Sequence, residues 1–508
     1  MPASNDPLLV GLDVGTTNIK AVIFDPTGQP VAQASVSTPT YYPQPTWAYY
    51  KAEELWHRTV EALRLAVAKV DRPDRIVSIA VASMGEAAVP LDAVGQPTYD
   101  IIAWFDQRTQ PQVDWLARTI GKDRLFDITG LSLQPIFGLC KLLWFKENQP
   151  DAFARTVRWL NVADYIAYRL CGVPATDYSL ASRTMALNLR RLEWAADLLQ
   201  EAGLPAGLFA PLCVSGTRLG PVLPEVAAAT GLPATAQVAS GGHDHVCGAL
   251  AVGVTEPGAL MNSLGTAENL FLPLTHPLTD PEMGRQGYTQ GVHVVAGHYY
   301  VFGASYTSGA CVDWLRQIFG GGDYSALIAA AERVPPGSLG VCFLPHLRLA
   351  NPPYDDPQGR GAFIGLSTDV KPETLFRAVL EGLAYESHYI VQSLLKFLDT
   401  PTLNRIHAIG GSTRNQLFMQ LKATVFNQPV IVTTMTEATS LGAALLGGLG
   451  AGVYADVPAA LGQLRRDGVV VEPLADQVAL YESYFRQVYQ QLYLTLRPLH
   501  HTIYQLQR

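Results

Sequence analysis

The stretch Gly11-Leu12-Asp13-Val14-Gly15-Thr16-Thr17-Asn18-Ile19-Lys20 stands between two apolar runs, Leu8-Leu9-Val10 and Ala21-Val22-Ile23-Phe24. That order predicts two strands joined by a tight glycine hairpin. A second turn, Asp25-Pro26-Thr27-Gly28, leads into a third strand near Val31 to Val36. The first hairpin tip gathers an acid, a glycine, two threonines, an asparagine and a lysine. Glycine lets backbone N–H groups approach an anion closely. The threonine hydroxyls and Lys20 add donors and charge, and Asp13 at the strand end can hold a magnesium ion or its water. Together these suit the β- and γ-phosphates of ATP. A polar hairpin with nothing bound has the same local signature, so the rest of the chain must decide. The motif is neither a Walker loop, which needs a strand-to-helix transition, nor G-x-G-x-x-G.

The hairpin resembles the first phosphate loop of the sugar-kinase and actin-like ATPase superfamily. Its surroundings are those of a large globular protein. The chain has 508 residues, 48% hydrophobic and 16% charged, which predicts two or more domains with sizeable cores. Asp and Glu number 44 against 36 Lys and Arg, a formal charge of −8 with no basic patch, so nucleic acid is not expected as a partner. That charge also opposes an anionic nucleotide, so Mg²⁺, backbone amides and Lys20 must compensate locally. Six widely spaced cysteines without C-x-x-C read as reduced thiols. Met1 to Pro7 lacks a signal core. Leu441 to Val453 is glycine-rich and too short to span a membrane. The expectation is a cytoplasmic protein with no membrane contact.

In the first half, Ala52 to Val70 has the spacing of an amphipathic helix and Arg75 to Ala82 that of a buried strand. The strand ends in Ser83-Met84-Gly85-Glu86, and a later loop carries Trp104-Phe105-Asp106-Gln107-Arg108-Thr109. Carboxylates at Glu86 and Asp106 beside the Trp104 indole are what a polyol or sugar needs, acceptors for its hydroxyls and a face for its C–H groups. A core-edge tryptophan and a surface Asp106–Arg108 pair are the plainer alternative. Gly138 to Asn148 reads as a helix over the sugar cleft, Arg158 to Leu170 as another helix, and Ala175 to Thr184 as a polar loop. Gln237 to Ser240 is a strand that runs through Gly241-Gly242-His243-Asp244 into a helix from His245 to Ala251. Asp244, at that turn, is ionised at neutral pH and can take the proton of an attacking alcohol. It can also serve as a helix N-cap. His243, Asp244, His245 and Cys247 invite a metal site, but neighbours on a new helix do not converge on one point.

Val252 to Gly258 is hinge-like, and the domain boundary is placed there, giving units 1–252 and 253–508. Leu260 to Phe271 repeats the strand, Gly-Thr turn, strand form around Gly265-Thr266, which points to an internal duplication. Gly309 opens a helix after a strand at Tyr299 to Gly303. Lys371 to Phe397 reads as one long helix. Arg405 to Ile409 runs into Gly410-Gly411-Ser412-Thr413-Arg414-Asn415 and a helix from Gln416 to Phe426, a ready anion and nucleotide platform. Glu437 to Ala444 starts a helix of small side chains suited to close packing. Residues after Tyr454 read as helical and peripheral.

Taken in order, these six segments resemble the FGGY family of carbohydrate kinases over roughly residues 8 to 490. The resemblance implies an α/β fold of two actin-like (ribonuclease-H-like) domains facing a central cleft. It implies a sugar site of Glu86, Trp104, Asp106 and Asp244, with Asp244 as the catalytic base. Asp13, Thr16, Thr17 and Lys20 would reach the terminal phosphates, and Gly265, Thr266, Gly309, Gly410, Gly411 and Asn415 would hold the rest of ATP. Mg²⁺ would lie at Asp13 and Asp244, directly or through water. The partner is a small sugar or polyol, and a homodimer is left open. Departures concern the substrate. Xylulose kinases usually show Gln-Met-His and glycerol kinases Gln-Arg-Glu where this chain has Ser83-Met84-Gly85-Glu86. Glu86 keeps the register of the glycerol-kinase glutamate, and Ile136 falls where those enzymes place a tyrosine. A pentulose or deoxyhexulose is favoured, with glycerol or another polyol as the alternative. A nucleotide-binding regulator without sugar chemistry is the other class to be tested.

Overall fold

A computed structural model describes residues 6–399, 401–433, 435–465 and 468–507. Two sheets organise the chain. The first contains β1 (Leu8–Val14), β2 (Asn18–Phe24), β3 (Pro30–Ser37), β4 (Ile76–Ser83), β5 (Arg218–Pro221) and β6 (Gln237–His243), in the order β5-β6-β4-β1-β2-β3. The second contains β7 (Ala259–Leu264), β8 (Glu268–Leu274), β9 (Thr289–Val292), β10 (Tyr299–Ser305), β11 (Arg405–Ile409), β12 (Val430–Thr433) and β13 (Gly468–Val471), in the order β9-β10-β8-β7-β11-β12-β13. The first sheet opens with the antiparallel meander β1-β2-β3 and the second with the antiparallel run β7-β8-β10, which β9 flanks. Each then adds two parallel strands on the side of its first, β4 and β6 next to β1 and β11 and β12 next to β7. The duplication expected from the two Gly-Thr hairpins is thus present in the topology.

Helix α1 (Ala52–Val67) covers the meander of the first sheet, and α2 (Gly138–Asn148) and α3 (Val162–Cys171) lie in the same half. Helix α4 (Asp244–Ala251) leaves the end of β6. The second half holds α5 (Gly309–Ile318), α6 (Tyr324–Glu332), α7 (Pro372–Leu395), α8 (Gln416–Phe426), α9 (Ala438–Gly450) and α10 (Gln490–Leu506). Strand β1 is apolar on both faces. Leu8, Val10, Leu12 and Val14 enter the first core, whereas Leu9 faces a second cluster shared with Leu441, Leu445 and Leu446 of α9. A strand buried on both sides reads as a continuous hydrophobic run, which is the form of Leu8-Leu9-Val10.

The strands divide between Val252 and Gly258, but the layers do not. Helix α9, from the second half of the chain, packs against β1, β4 and β6 of the first sheet and against α4. Residues 438–450 of the unit 253–508 thus lie on the sheet of the first unit. The approach is backbone to backbone: a β-carbon on Gly11 would lie 1.7 Å from the Ser440 carbonyl oxygen, and one on Gly442 would lie 1.9 Å from that of Cys247.

Three local expectations are corrected. Arg158–Asn161 is a strand paired with Ala88–Leu91, and the helix begins at Val162. Trp159 and Leu160 alternate into two different cores, which a helix could not arrange. The polar loop of Ala175 to Thr184 contains a short strand, Thr176–Asp177, and one helical turn, Tyr178–Ala181, whose first N–H groups are capped by the Asp177 carboxylate. The tail is not peripheral: β13 joins the second sheet, and Tyr481, Phe485, Tyr489 and Tyr493 fill its core. Among the described residues no helix is long and apolar enough to cross a membrane, and the six cysteines form no disulfide.

Gly11→Ala is expected to cost more than the ~1–3 kcal/mol usual for overpacking, because backbone must move. Gly462, exposed in the short helix Val457–Gln463 with nothing within 4 Å of an added β-carbon, is the control. Gly462→Ala should raise stability by about 0.5–1 kcal/mol. Urea unfolding of both variants checks this, and similar midpoints would remove the close-approach argument.

Candidate active site

Adjacent strands deliver the chemistry at one edge. Val14, Ser83 and His243 lie side by side in β1, β4 and β6. Asp13, Glu86 and Asp244 stand within three residues of that line. Ligands of such sheets gather at the carboxyl ends of parallel strands. A cavity of about 360 Å³ opens there, lined by Thr16, Glu86, Trp104 and Asp244 of the expected set. Its other walls include Gln134, Ile136, Phe137, Arg183, His243 and, across the cleft, Asn269, Thr289, Phe302 and Tyr306. Helix α2 lies behind it, not over it: Ile136 and Phe137 line the wall just before α2 starts.

Asp106 does not reach this cavity. It is fully buried, its Oδ1 accepting from the Arg108 backbone N and Nε at 2.8 and 2.9 Å. Its Oδ2 accepts from Arg108 Nη2 at 2.8 Å and from the Ala48 N at 2.5 Å. Arg108 in turn lies 4.1 Å over the Trp47 ring. The expected sugar contact is instead the post that shapes the loop, and the plainer pairing holds with the pair buried rather than on the surface. That loop presents Trp104, 37% exposed, whose Nε1 donates to Thr16 Oγ1 at 3.0 Å.

Glu86 has a partner that sequence reasoning missed. Arg183, just after the capped turn at Tyr178–Ala181, donates to Glu86 Oε1 from Nε at 2.6 Å and from Nη2 at 2.5 Å. Lys141 of α2, itself fully buried, donates to the Glu86 carbonyl oxygen at 2.5 Å. No local pattern marks either residue, because each acts on a residue far away in sequence. Asp244 is the first residue of α4. Its Oδ1 lies 3.2 Å from His243 Nε2 and accepts from the His245 backbone N at 2.6 Å. Burial, aided by the nearby Glu86 charge, pushes the Asp244 carboxyl up; burial, aided by Arg183, pushes the His243 imidazole well down.

At the hairpin tip, the Gly15 N donates to Asn18 O, while Thr38 Oγ1 donates to Gly15 O. Thr17 is exposed toward solvent. Lys20 sits opposite Asp13 in the register, but its Nζ is 2.9 Å from a carboxylate oxygen of Glu437, just ahead of α9. The lysine expected at the terminal phosphates is thus engaged with a residue of the other half. Burial and the charge of Asp244 push the Asp13 carboxyl up to about 7, with Lys20 opposing them.

The second half builds a separate cavity of about 420 Å³, lined by Gly309, Gly411 and Asn415 with Ser308, Tyr324 and Phe418. Asn415 caps α8 through Oδ1 to the Phe418 N at 3.1 Å and directs Nδ2 to Tyr324 at 3.5 Å. Gly410 lies behind the wall with φ +98°, where a β-carbon would meet Leu264 O at 2.4 Å. Gly265 and Thr266 line neither cavity. They are exposed at the tip between them, their carbonyls accepting from the N-terminal amides of α5 and its approach, Ser308, Gly309 and Ala310. Beneath the tip, Glu268 is fully buried and accepts from Lys422, Asn262 and Ser387.

Among the described residues no group of three or more His, Cys, Asp or Glu side chains is arranged to hold a metal ion. A phosphate-bound Mg²⁺ needs fewer protein ligands. Two desolvated carboxylates, Asp13 and Asp244, whose nearest lysine is already paired, form an environment that a divalent cation would fit.

The raised Asp13 makes a stability test. With its folded pKa near 7, above the ordinary 3.8, the fold favours the protonated form. That contribution is present below pH 4 and lost as pH rises through 7. Nucleotide-free Asp13→Asn should therefore melt above the wild type at pH 8, with the gap closing as pH falls through 7 toward 4. A gap independent of pH, measured by scanning fluorimetry, refutes it.

Models of the N- and C-terminal domains of the FGGY family of carbohydrate kinases match residues 8–251 and 260–451. The chain is 29% identical over 495 residues to the xylulose kinase of Bacillus subtilis, covering 97% of each protein. It is 31% identical over 502 residues to the glycerol kinase of Trichormus variabilis, covering 95% of this chain and 97% of that one. The crystal structure of xylulose kinase from Rhodospirillum rubrum superposes with a TM-score of 0.90 at 28% identity, over 97% of this chain and all of that one. The two matched domains, the paired actin-like sheets and the cavity between them agree, and the chain belongs to the FGGY family of carbohydrate kinases.

Proposed function

We propose that the protein transfers the γ-phosphoryl group of ATP to a primary hydroxyl of a ketose, a pentulose or deoxyhexulose. The observation that carries this is the convergence of Glu86, Trp104 and Asp244 in one cavity beside the Asp13–Thr16 hairpin. The roughly 360 Å³ cavity lies within the usual ~300–1,000 Å³ of small-molecule sites. A three-carbon polyol would leave much of it to water. The polyol alternative is favoured by Glu86 itself, and the glycerol-kinase relative is as similar as the xylulose-kinase one. Ile136 on the cavity wall, where a tyrosine is usual in glycerol kinases, weighs against it.

Asp244 is the base. Oδ1 is held by His245 N and faces His243 Nε2, and among the described residues Oδ2 has no hydrogen-bond donor, so it can accept the proton of the attacking hydroxyl. Burial that raises its pKa also strengthens it as a base, provided it is ionised at the moment of transfer. Glu86 Oε2 accepts a substrate hydroxyl, and the Trp104 ring covers C–H faces. ATP lies with its adenosine in the Gly309–Asn415 cavity and its phosphates toward the two hairpin tips. Asp13 and Asp244 would hold Mg²⁺, which neutralises charge on the transferring phosphate. Transfer requires Lys20 to be shared between Glu437 and the phosphates. Closure of the two halves excludes water, which would otherwise compete as acceptor.

ADP release with Mg-ATP across ketopentoses, deoxyketohexoses, aldoses and polyols tests the substrate. Stimulation by one ketose is expected, whereas stimulation by glycerol alone overturns the ketose assignment. ATP hydrolysis indifferent to every compound would favour the regulator, for which nothing among the relatives speaks. Asp244→Asn is expected to lose ~10²–10⁴-fold in turnover while still binding ATP. Full turnover with a phosphorylated product would remove Asp244 from the base role.

A further inference from the structure

We propose that the cavity takes uncharged polyhydroxy substrates and rejects sugar acids, a selection made by Glu86 and its locked partner Arg183. This rests on the kinase function proposed above. Among the described residues lining the cavity, Arg183 is the one lysine or arginine. A substrate carboxylate would need its guanidinium, and no edge of that group is open. Nε and Nη2 both point at Glu86 Oε1. Nη1 is buried, with the Tyr300 hydroxyl beside the guanidinium. The Phe137 ring lies 5.1 Å from Cζ and the Phe302 ring 6.0 Å away. The side chains of Arg183 and Glu86 are each only 7% exposed, so the pair is a buried, fixed unit.

Gly85 makes this arrangement possible. A β-carbon there would come within 2.9 Å of Arg183 Cγ and 2.8 Å of His243 Cδ2. The His243 imidazole is likewise turned to a carboxylate, its Nε2 3.2 Å from Asp244 Oδ1, and the His245 ring lies edge-on to Phe302.

The charged groups left open to a ligand are acceptors, and the other polar lining, Thr16, Gln134, Asn269, Thr289 and Tyr306, is neutral. Among the described residues Glu86 Oε2 and Asp244 Oδ2 accept no hydrogen bond, and each suits a donor. A hydroxyl supplies one. A carboxylate supplies none and brings a third negative charge beside Glu86, 7% exposed, and Asp244, 26% exposed, where like charges repel more than in solution. An aldonate should therefore be the worse substrate than a polyol or ketose of the same skeleton by at least about 100-fold in kcat/KM.

The test compares D-xylulose, xylitol and glycerol with D-xylonate, D-gluconate and D-glycerate as phosphoryl acceptors, using the full chain with Mg-ATP and identifying products by mass spectrometry. Neutral compounds should be phosphorylated and the acids left untouched. Glu86→Gln should shrink the neutral-to-acid ratio by about tenfold or more, because it removes one charge and releases Arg183. Since that variant disturbs a buried pair, wild-type protein is also titrated calorimetrically with xylitol and xylonate, and xylonate binding within tenfold of xylitol overturns the inference. Phosphorylation of an acid at a kcat/KM within tenfold of the best neutral compound does the same and leaves the kinase assignment standing. If no compound is phosphorylated or bound, both fall together.

Discussion

Helix α9 lies on the first sheet at a distance that only glycine allows. A β-carbon on Gly11 would overlap the Ser440 carbonyl, and one on Gly442 would overlap that of Cys247. Small side chains along Ala438–Gly450 make this contact almost backbone to backbone, while Leu441, Leu445 and Leu446 fill the space around it. Dispersion contacts are individually weak and collectively strong at such separations. Because α9 belongs to the second half of the chain, this packing joins the two halves through a shared core. It also brings Glu437 to Lys20, so the residue just ahead of the helix touches the first phosphate hairpin.

On that frame the functional groups are held against their own preference. Asp13 comes from β1 and Asp244 from the head of α4 after β6, the two strands that flank β4. Burial raises both, with the Asp244 charge adding to it at Asp13 and the Glu86 charge at Asp244. Stability would favour neutral residues at these positions; phosphoryl transfer favours desolvated carboxylates that a cation and a hydroxyl can complete. The second half answers with the opposite device. Glu268, under the Gly265–Thr266 tip, is paired with Lys422, and Ser387, Asn262 and Ser308 use its remaining acceptor sites. A buried ion pair gains little unless it is fully hydrogen-bonded, and this one is. The first hairpin thus carries unfulfilled charge toward the ligand, and the second hairpin rests on fulfilled charge beneath it.

Much of the fold was legible because it is written locally. The helices at Gly138–Asn148 and Gln416–Phe426 have the bounds read from the sequence, and each Gly-Thr turn does join two strands. Failures came where burial came from distant partners. Trp159 and Leu160 alternate into separate cores, so a segment with helical composition starts as a strand. The aromatic residues of the tail looked peripheral until the second core was seen to need them.

The amino-acid sequence by itself determined the two hairpins, the order of motifs and the turn that sets Asp244 at the head of a helix, since turns, caps and hydrophobic periodicity act over a few residues. Only the tertiary structure decided which charges meet. Asp106 spends both oxygens on Arg108 and Ala48, Glu86 is matched by Arg183, and Lys20 is matched by Glu437 across 417 residues of chain. The physical reason is that a charged side chain's role is set by the nearest opposite charge in a low-dielectric setting. That neighbour is chosen by how sheets and helices stack, not by what stands next to it in the chain.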